Sequence, residues 1–401
     1  MLNLIAILKD KRGFTITKHT AERLDFRCEL FESAKFLNFL QAKTQGQQQS
    51  YLNLIDEVYK NLRPTPFLGY SKTKKDIQDI KTNAQGFFES YLPKKAAEVK
   101  QILDGTHPLF LDKKGNTWVH ITKSYRPGRK DFSSSVSYIP GDNFLRLKVY
   151  LIGNFEDYTA TAHELSHSLS AIVQSYPKNA KEIEENVDSE LDEAFFKKDS
   201  AGEIESLICE YLYLEYIQQT KAFSAQDVQT HKLSLDNDLY YYSRLISEEQ
   251  QVVSKLNFPI TQQGLTELYK SYQQQGNKNL VLRLRKMCQS GITEHNSVYV
   301  FRYFVGHIVA NEWIKQYTSS TQPQKQQMLD IYQDYLDKTD TLEMEDACQM
   351  LLGKSFEKIA TQYISDLKKQ NQAKQEQAKQ IMDKFKQTYG LENKNLTLKM
   401  K

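Results

Sequence analysis

The chain has 401 residues, 53 basic and 50 acidic side chains for a formal charge of +3, and 40% hydrophobic, 26% charged and 11% aromatic content. Those proportions exclude the disordered, collagen-like and disulfide-scaffold classes and predict a substantial packed core. The near-balanced charge offers no global field for phosphate or acidic surfaces, so no nucleic acid is expected as a partner.

The opening MLNLIAIL is apolar but lacks a preceding basic region and is followed at once by KDKR. It therefore predicts neither a signal peptide nor a membrane span, and no later window reaches spanning length, so no membrane partner is expected. Cys28, Cys209, Cys288 and Cys348 are far apart and form no CxxC pair. That usage suits reduced thiols, and a cytoplasmic location is the expectation, with delivery to another cell by a signal-peptide-independent route left open.

Leu, Tyr, Lys, Gln and Glu dominate, and apolar residues recur at three and four spacing with only nine prolines, so the class is mainly α. Residues 1–100 read as an N-terminal helical lobe, 101–367 as a second region that carries the small sheet and the candidate site residues below, and 368–401, which contain KKQNQAKQEQAKQ, as a polar helical tail. Helix gives way between residues 106 and 154, where NTWVHITKS, SVSYIP and LRLKVYLIG are β-branched and aromatic. These runs predict a small antiparallel sheet, with Pro140, Gly141 and Asp142 turning between the last two. Residues 124–135, SYRPGRKDFSSS, read as an exposed loop, a solvated one before a substrate-touching one.

The next segment, TAHELSHSLS over residues 161–170, contains the pattern HExxH as His163, Glu164 and His167. Residues four apart on a helix are offset by roughly 40° around its axis and one turn along it, so both imidazoles can face one ion. Glu164 projects from a neighbouring position, able to accept a proton from water without being a ligand. A catalytic zinc site of this kind takes a third protein ligand and leaves a fourth position open. The acids downstream are Glu193, in ELDEAFF, and Glu203, in GEIESLICEYLYLEY. Glu203, Leu207, Glu210, Leu214 and Ile217 fall on one helical stripe, where two carboxylates need partners: Glu203 reads as the ligand and Glu210 as acceptor from a ligating histidine, with Glu193 the alternative ligand and a structural ion pair the alternative for Glu210. Farther on, His295, Tyr299, Tyr303 and His307 recur every four residues and could line one side of a cleft, although tyrosines at helical spacing commonly pack a core and His307 reads as structural.

Three blocks resemble the zinc oligopeptidases typified by oligoendopeptidase F and thimet oligopeptidase, of the gluzincin kind. VYLIGNFEDYTATAHELSHSL is similar to the strand, loop and motif helix of that family. GEIESLICE is similar to its third-ligand block and keeps Glu203, Ser206 and Glu210, which favours Glu203 over Glu193. YVFRYFVGHIVANEWIKQY, residues 299–317, resembles its tyrosine-rich helix, and the segment after it resembles the family's closing helices. The family's motif glycine is Ser166 here and its extra histidine is Ser170, so packing and outer hydrogen bonds around the metal should differ. The chain is also shorter than typical members, chiefly in its N-terminal half.

The resemblance implies a zincin-like helical metallopeptidase, with a small sheet beside the motif helix and a cleft between two helical lobes. It implies Zn2+ held by His163, His167 and Glu203, Glu164 as proton carrier, Glu210 outside the ligands, and Tyr303 stabilising the developing oxyanion, with Tyr299 and His295 as secondary candidates. The strand at residues 145–152 is expected to offer its edge to an extended peptide. The expected function is a zinc-dependent metalloendopeptidase acting on short or unstructured peptides. The alternatives are a protease for one protein target, such as a secreted effector, and an inactive helical binding protein on the same scaffold.

Overall fold

The computed structural model describes residues 26–43, 47–65, 70, 76–123, 134–139, 144–175, 193–221, 223–256, 262–289, 297–339 and 341–389. It begins with α1 (Phe26–Gln41), α2 (Tyr51–Asn61), α3 (Ile77–Tyr91) and α4 (Pro93–Asp104). Local chemistry sets their boundaries. Ser50 accepts a hydrogen bond from the Asn53 N–H at the head of α2, and Asp76 and Asp79 form a reciprocal capping box on α3. Pro93 opens α4, where its missing N–H would have had no partner within the helix. Gly105 ends that helix at φ 71°, a left-handed conformation glycine adopts without a Cβ clash.

Three strands follow: β1 (Val119–Lys123), β2 (Ser135–Ile139) and β3 (Phe144–Leu151). The sheet order is β1, β3, β2. β2 pairs antiparallel with β3, with Ser135 opposite Lys148 and Ile139 opposite Phe144. β1 instead runs parallel to β3, from Val119 opposite Leu147 to Lys123 opposite Leu151, so the sheet is mixed rather than wholly antiparallel. The long connection after β1 is what permits this, since a parallel neighbour cannot be reached through a tight turn. Ten residues of the loop expected at 124–135 lie outside the described residues; its last two, Ser134 and Ser135, lead into β2. Being central, β3 has partners on both sides, so it does not offer the free edge the sequence predicts. Leu145, Leu147, Val149 and Leu151 alternate into the core.

The motif helix is α5 (Glu156–Ser175), and the turn that enters it is pinned by its own first residues. Asp157 accepts hydrogen bonds from the main-chain N–H groups of Ile152 at 2.6 Å and Gly153 at 2.8 Å. Then come α6 (Glu193–Asp199), α7 (Ile204–Thr220), α8 (Ala225–Val253), α9 (Gln262–Gln274), α10 (Lys278–Gln289), α11 (Ser297–Ser319), α12 (Gln322–Leu336), α13 (Met344–Leu352) and α14 (Phe356–Tyr389). The described chain is thus mainly helical with one small sheet. The polar segment from Lys368 continues α14 rather than forming a separate helix.

One buried cluster runs from Phe36 to Leu367 and draws on α1 to α8, the sheet and α11 to α14. A smaller cluster, including Leu265, Tyr269, Leu284 and Met287, lies between α9, α10 and the end of α8. α7 is packed between α5 and α11, and every residue from Ile204 to Leu214 is buried. A helix apolar on every face is a core helix, so the stripe through Glu203 and Glu210 is one of several buried faces. No described helix is long and apolar enough to cross a membrane.

Candidate metal centre

α5 and α7 run antiparallel through the core, as their contacts show: residues advance along one as they retreat along the other. Cys209 Sγ reaches the Ala162 carbonyl at 3.4 Å, and Ser166 Oγ donates to the Glu205 carbonyl at 3.2 Å. Ser166 is fully buried and also lies 3.4 Å from the Tyr332 hydroxyl, which itself donates to the Glu205 carbonyl at 2.6 Å. The serine at this motif position therefore ties the two helices together. Ser170 is buried too, and its hydroxyl has no hydrogen-bond partner among the described residues.

On the facing sides of this helix pair stand His163 and His167, one turn apart, with ring centroids 4.8 Å apart and planes at 81°. Glu203, at the N-cap of α7, places Oε2 3.4 Å from His163 Nε2 and 3.1 Å from His167 Nε2. The three ligand atoms lie within 4.8 Å of one another. This is the set expected from the sequence, and it is the arrangement that could hold a metal ion. Glu193, the alternative ligand, is the first residue of α6, and its side chain lies outside the described residues.

Each imidazole is held from behind. His163 Nδ1 lies 3.0 Å from Glu210 Oε2, and His167 Nδ1 lies 3.1 Å from Glu205 Oε1. A carboxylate accepts, so both Nδ1–H groups donate and both Nε2 atoms turn toward Glu203. Glu210 is where the sequence places an acceptor. Glu205 was not anticipated, and its only signal is its place in the run GEIES. Ser206 Oγ donates to Glu203 Oε2 at 2.9 Å, while Arg302 Nε lies 3.5 Å from Glu203 Oε1. The two oxygens of Glu203 are thereby distinguished: Oε2 faces the histidines and Oε1 the guanidinium.

The polar groups of the cluster compensate one another. Burial pushes the His163 imidazole down, but hydrogen bonds to Glu203 and Glu210 outweigh it and hold the group up at about 10. For His167 burial is likewise outweighed, here by the charge of Glu203 and hydrogen bonds to Glu203 and Glu205. Burial works against ionised Glu203, yet His167 and His163 hold it well below the usual carboxylate range. A divalent cation would take over this role for Glu203 and release the protons from both Nε2 atoms, so the donor set fits a metal.

Glu164 differs from the other acids. It is 7% exposed, its Oε2 has no hydrogen-bond partner among the described residues, and burial raises its pKa. Such a carboxyl group is matched to taking and returning a proton.

Tyr303 and Tyr299 lie on α11, with their hydroxyls 3.0 Å apart. Burial first, and then the charge of Glu203 and the neighbouring Tyr299, push the Tyr303 hydroxyl up, so it stays a donor. Arg302 stacks over the Tyr299 ring at 3.9 Å, and Tyr242 from α8 lies beside Tyr303 with ring centroids 5.2 Å apart. Sequence reasoning missed Arg302 and Tyr242. His307 is 2% exposed, and burial lowers its pKa to about 4, which fits a neutral core histidine. His295 falls outside the described residues.

No protein-family model matches the chain, and no curated protein does. Two solved structures are similar to it. One is a protein assigned as an oligoendopeptidase F from Bacillus anthracis str. Ames, at 14% identity over 88% of this chain and 57% of that one, with a TM-score of 0.41. The other is PZ peptidase A with an inhibitor, at 12% identity over 89% of this chain and 59% of that one, with a TM-score of 0.47. The chain spans less than three fifths of the length of either.

Proposed function

We propose that the chain is a zinc-dependent metalloendopeptidase acting on short or unstructured peptides, with zinc held by His163, His167 and Glu203. The observation that carries this reading is the buried carboxyl oxygen of Glu164, which has no hydrogen-bond partner among the described residues, on the residue next to His163 and within electrostatic reach of the convergent His163, His167 and Glu203. A structural ion-pair cluster needs no spare carboxyl oxygen, and burying one without a partner costs free energy. Two nitrogens and one oxygen fit the open catalytic zinc geometry, which leaves a position for water.

When bound, the ion supplies Lewis acidity to water and to the scissile carbonyl. Glu164 accepts the proton of the attacking water and delivers it to the leaving amine, two tasks for which its raised pKa suits it. The Tyr303 hydroxyl, kept protonated and bonded to Tyr299, donates to the carbonyl oxygen as negative charge develops there, an effect worth a few kcal/mol at about 3 kcal/mol per donor. Tyr299 orients that hydroxyl. Because β3 is occupied on both sides, β2 takes over the expected peptide-docking role. Among the described residues it pairs only with β3, and it packs on α5, so its outer edge offers main-chain donors and acceptors beside the motif helix.

The test is cleavage of a mixed library of unstructured peptides by the zinc-loaded protein, read by mass spectrometry, with Glu164→Gln as control. Cleavage by the parent and none by the variant is expected. Cleavage of one folded protein and no peptide would move the substrate class, and zinc binding without any cleavage would leave a binding protein.

A further inference from the structure

Behind Glu210 the hydrogen-bonded chain continues into two residues that carry no motif. Glu210 Oε1 lies 2.7 Å from His231 Nε2, and His231 Nδ1 lies 2.8 Å from the Tyr70 hydroxyl. His231 is 4% exposed and comes from α8, where the surrounding sequence HKLSLDNDLYYY gives no sign of a site. Phe155 packs on both, with its ring centroid 5.9 Å from that of Tyr70 and 5.7 Å from that of His231. Four side chains from four parts of the fold thus form one line: Tyr70, His231, Glu210 and His163.

Hydrogen-bond roles along this line are forced from its middle. Each carboxylate oxygen of Glu210 meets one imidazole nitrogen, Oε2 that of His163 at 3.0 Å and Oε1 that of His231 at 2.7 Å. An ionised carboxylate can only accept, so His163 must donate from Nδ1 and His231 from Nε2. The hydroxyl of Tyr70 takes either role and so accommodates whatever His231 presents at Nδ1. Among the described residues His231 is the only hydrogen-bond partner of Glu210 Oε1, so without it the carboxylate, held at Oε2 by His163 alone, would be free to rotate away.

We propose that His231, steadied by Tyr70 and Phe155, is a positioning residue that locks Glu210 onto His163 Nδ1 and so aims His163 Nε2 at the metal. The inference rests on the reading of His163, His167 and Glu203 as metal ligands and extends it to residues that touch neither ion nor substrate. Partners one shell out from a ligating histidine typically change metal affinity by about 10–100-fold when removed.

The experiment measures zinc affinity by competition with a chromogenic chelator for the parent, Glu203→Ala, His231→Leu, His231→Gln, His231→Asn and Tyr70→Phe. Cobalt(II) absorption spectra and melting temperatures of the metal-free proteins are recorded alongside. Gln can present an amide N–H near the place of Nε2, whereas Asn is too short to reach Glu210. The expected result is about 10–100-fold weaker binding for Leu and Asn, near-parental binding for Gln, a smaller loss for Tyr70→Phe, and an altered cobalt spectrum wherever affinity falls. Should Leu fail to fold, the comparison of Gln with Asn carries the same information. Equal affinity for parent and Leu, or for Gln and Asn, with Glu203→Ala still impaired, overturns this inference alone. A parent protein that binds no zinc overturns the metal reading and this inference together.

Discussion

Gly306 on α11 lies against the main-chain carbonyl of Glu203. A Cβ atom at Gly306 would stand 2.7 Å from that oxygen and 2.7 Å from Leu207 Cδ1. Only a residue without a side chain lets the tyrosine-bearing helix close on the helix that carries the carboxylates.

Gly306→Ala should therefore force α11 and α7 apart, because main-chain carbonyl and core leucine have nowhere to go. Overpacking of this kind costs about 1–3 kcal/mol. Urea denaturation should show the midpoint falling with an unchanged slope, and zinc affinity falling with it as Glu203 shifts. An alanine variant of parental stability would mean that the helices do not meet this closely.

The motif was open to sequence reading because helix periodicity alone places His163 and His167 on one face. Glu203 and Glu210 could be narrowed by the need of buried carboxylates for partners. Glu205, Arg302 and His231 could not be found that way. Their roles depend on how α7, α11 and α8 are brought together, and no local spacing encodes that. The sheet shows the same limit: the strand runs and the β2–β3 hairpin follow from β-branched residues and turn chemistry, whereas the parallel pairing of β1 depends on a long connection whose path composition does not reveal. Ser166, which the family resemblance marks as a departure, is a hydrogen-bonding tie between α5 and α7.

Glu164→Gln should keep zinc binding and lose hydrolysis. The amide preserves shape but cannot accept and return a proton, and general acid–base groups contribute about 10²–10⁴-fold. Metal content together with turnover of a cleaved peptide checks this. Turnover within a few-fold of the parent would contradict the assignment of Glu164 as proton carrier.

Arg302 connects Glu203 Oε1, at 3.5 Å, with the face of Tyr299, at 3.9 Å. Arg302→Lys keeps the charge but loses the planar group that stacks and fixes direction, so the two substitutions Lys and Met should both lower kcat, with Met the more damaging. A loss of about tenfold for Lys is the scale expected for 1–1.5 kcal/mol of positioning. An effect on KM alone would instead place Arg302 in uniform substrate binding.

Asp236 provides a pH signature away from the metal centre. Burial, opposed only partly by Lys374, pushes its carboxyl up to about 6 from the usual 3.8. The folded state therefore binds the proton more tightly than the unfolded state. This contribution to stability is fully present below the unfolded value and is lost as pH rises through about 6. Asp236→Asn removes the buried charge, so its advantage over the parent should grow from near zero at acidic pH to about 1–3 kcal/mol at pH 7.5. Denaturation curves at several pH values would show it, and a difference that does not change with pH would contradict this account.

The central claim is most directly tested by elemental analysis of the protein purified without chelators and then offered zinc, with Glu203→Ala treated in parallel. About one zinc per parent chain and a marked loss in the variant is the result predicted from the convergence of His163, His167 and Glu203. No bound zinc in the parent, or equal zinc in both proteins, would contradict it and leave the four buried glutamates and two histidines as an ion-pair network.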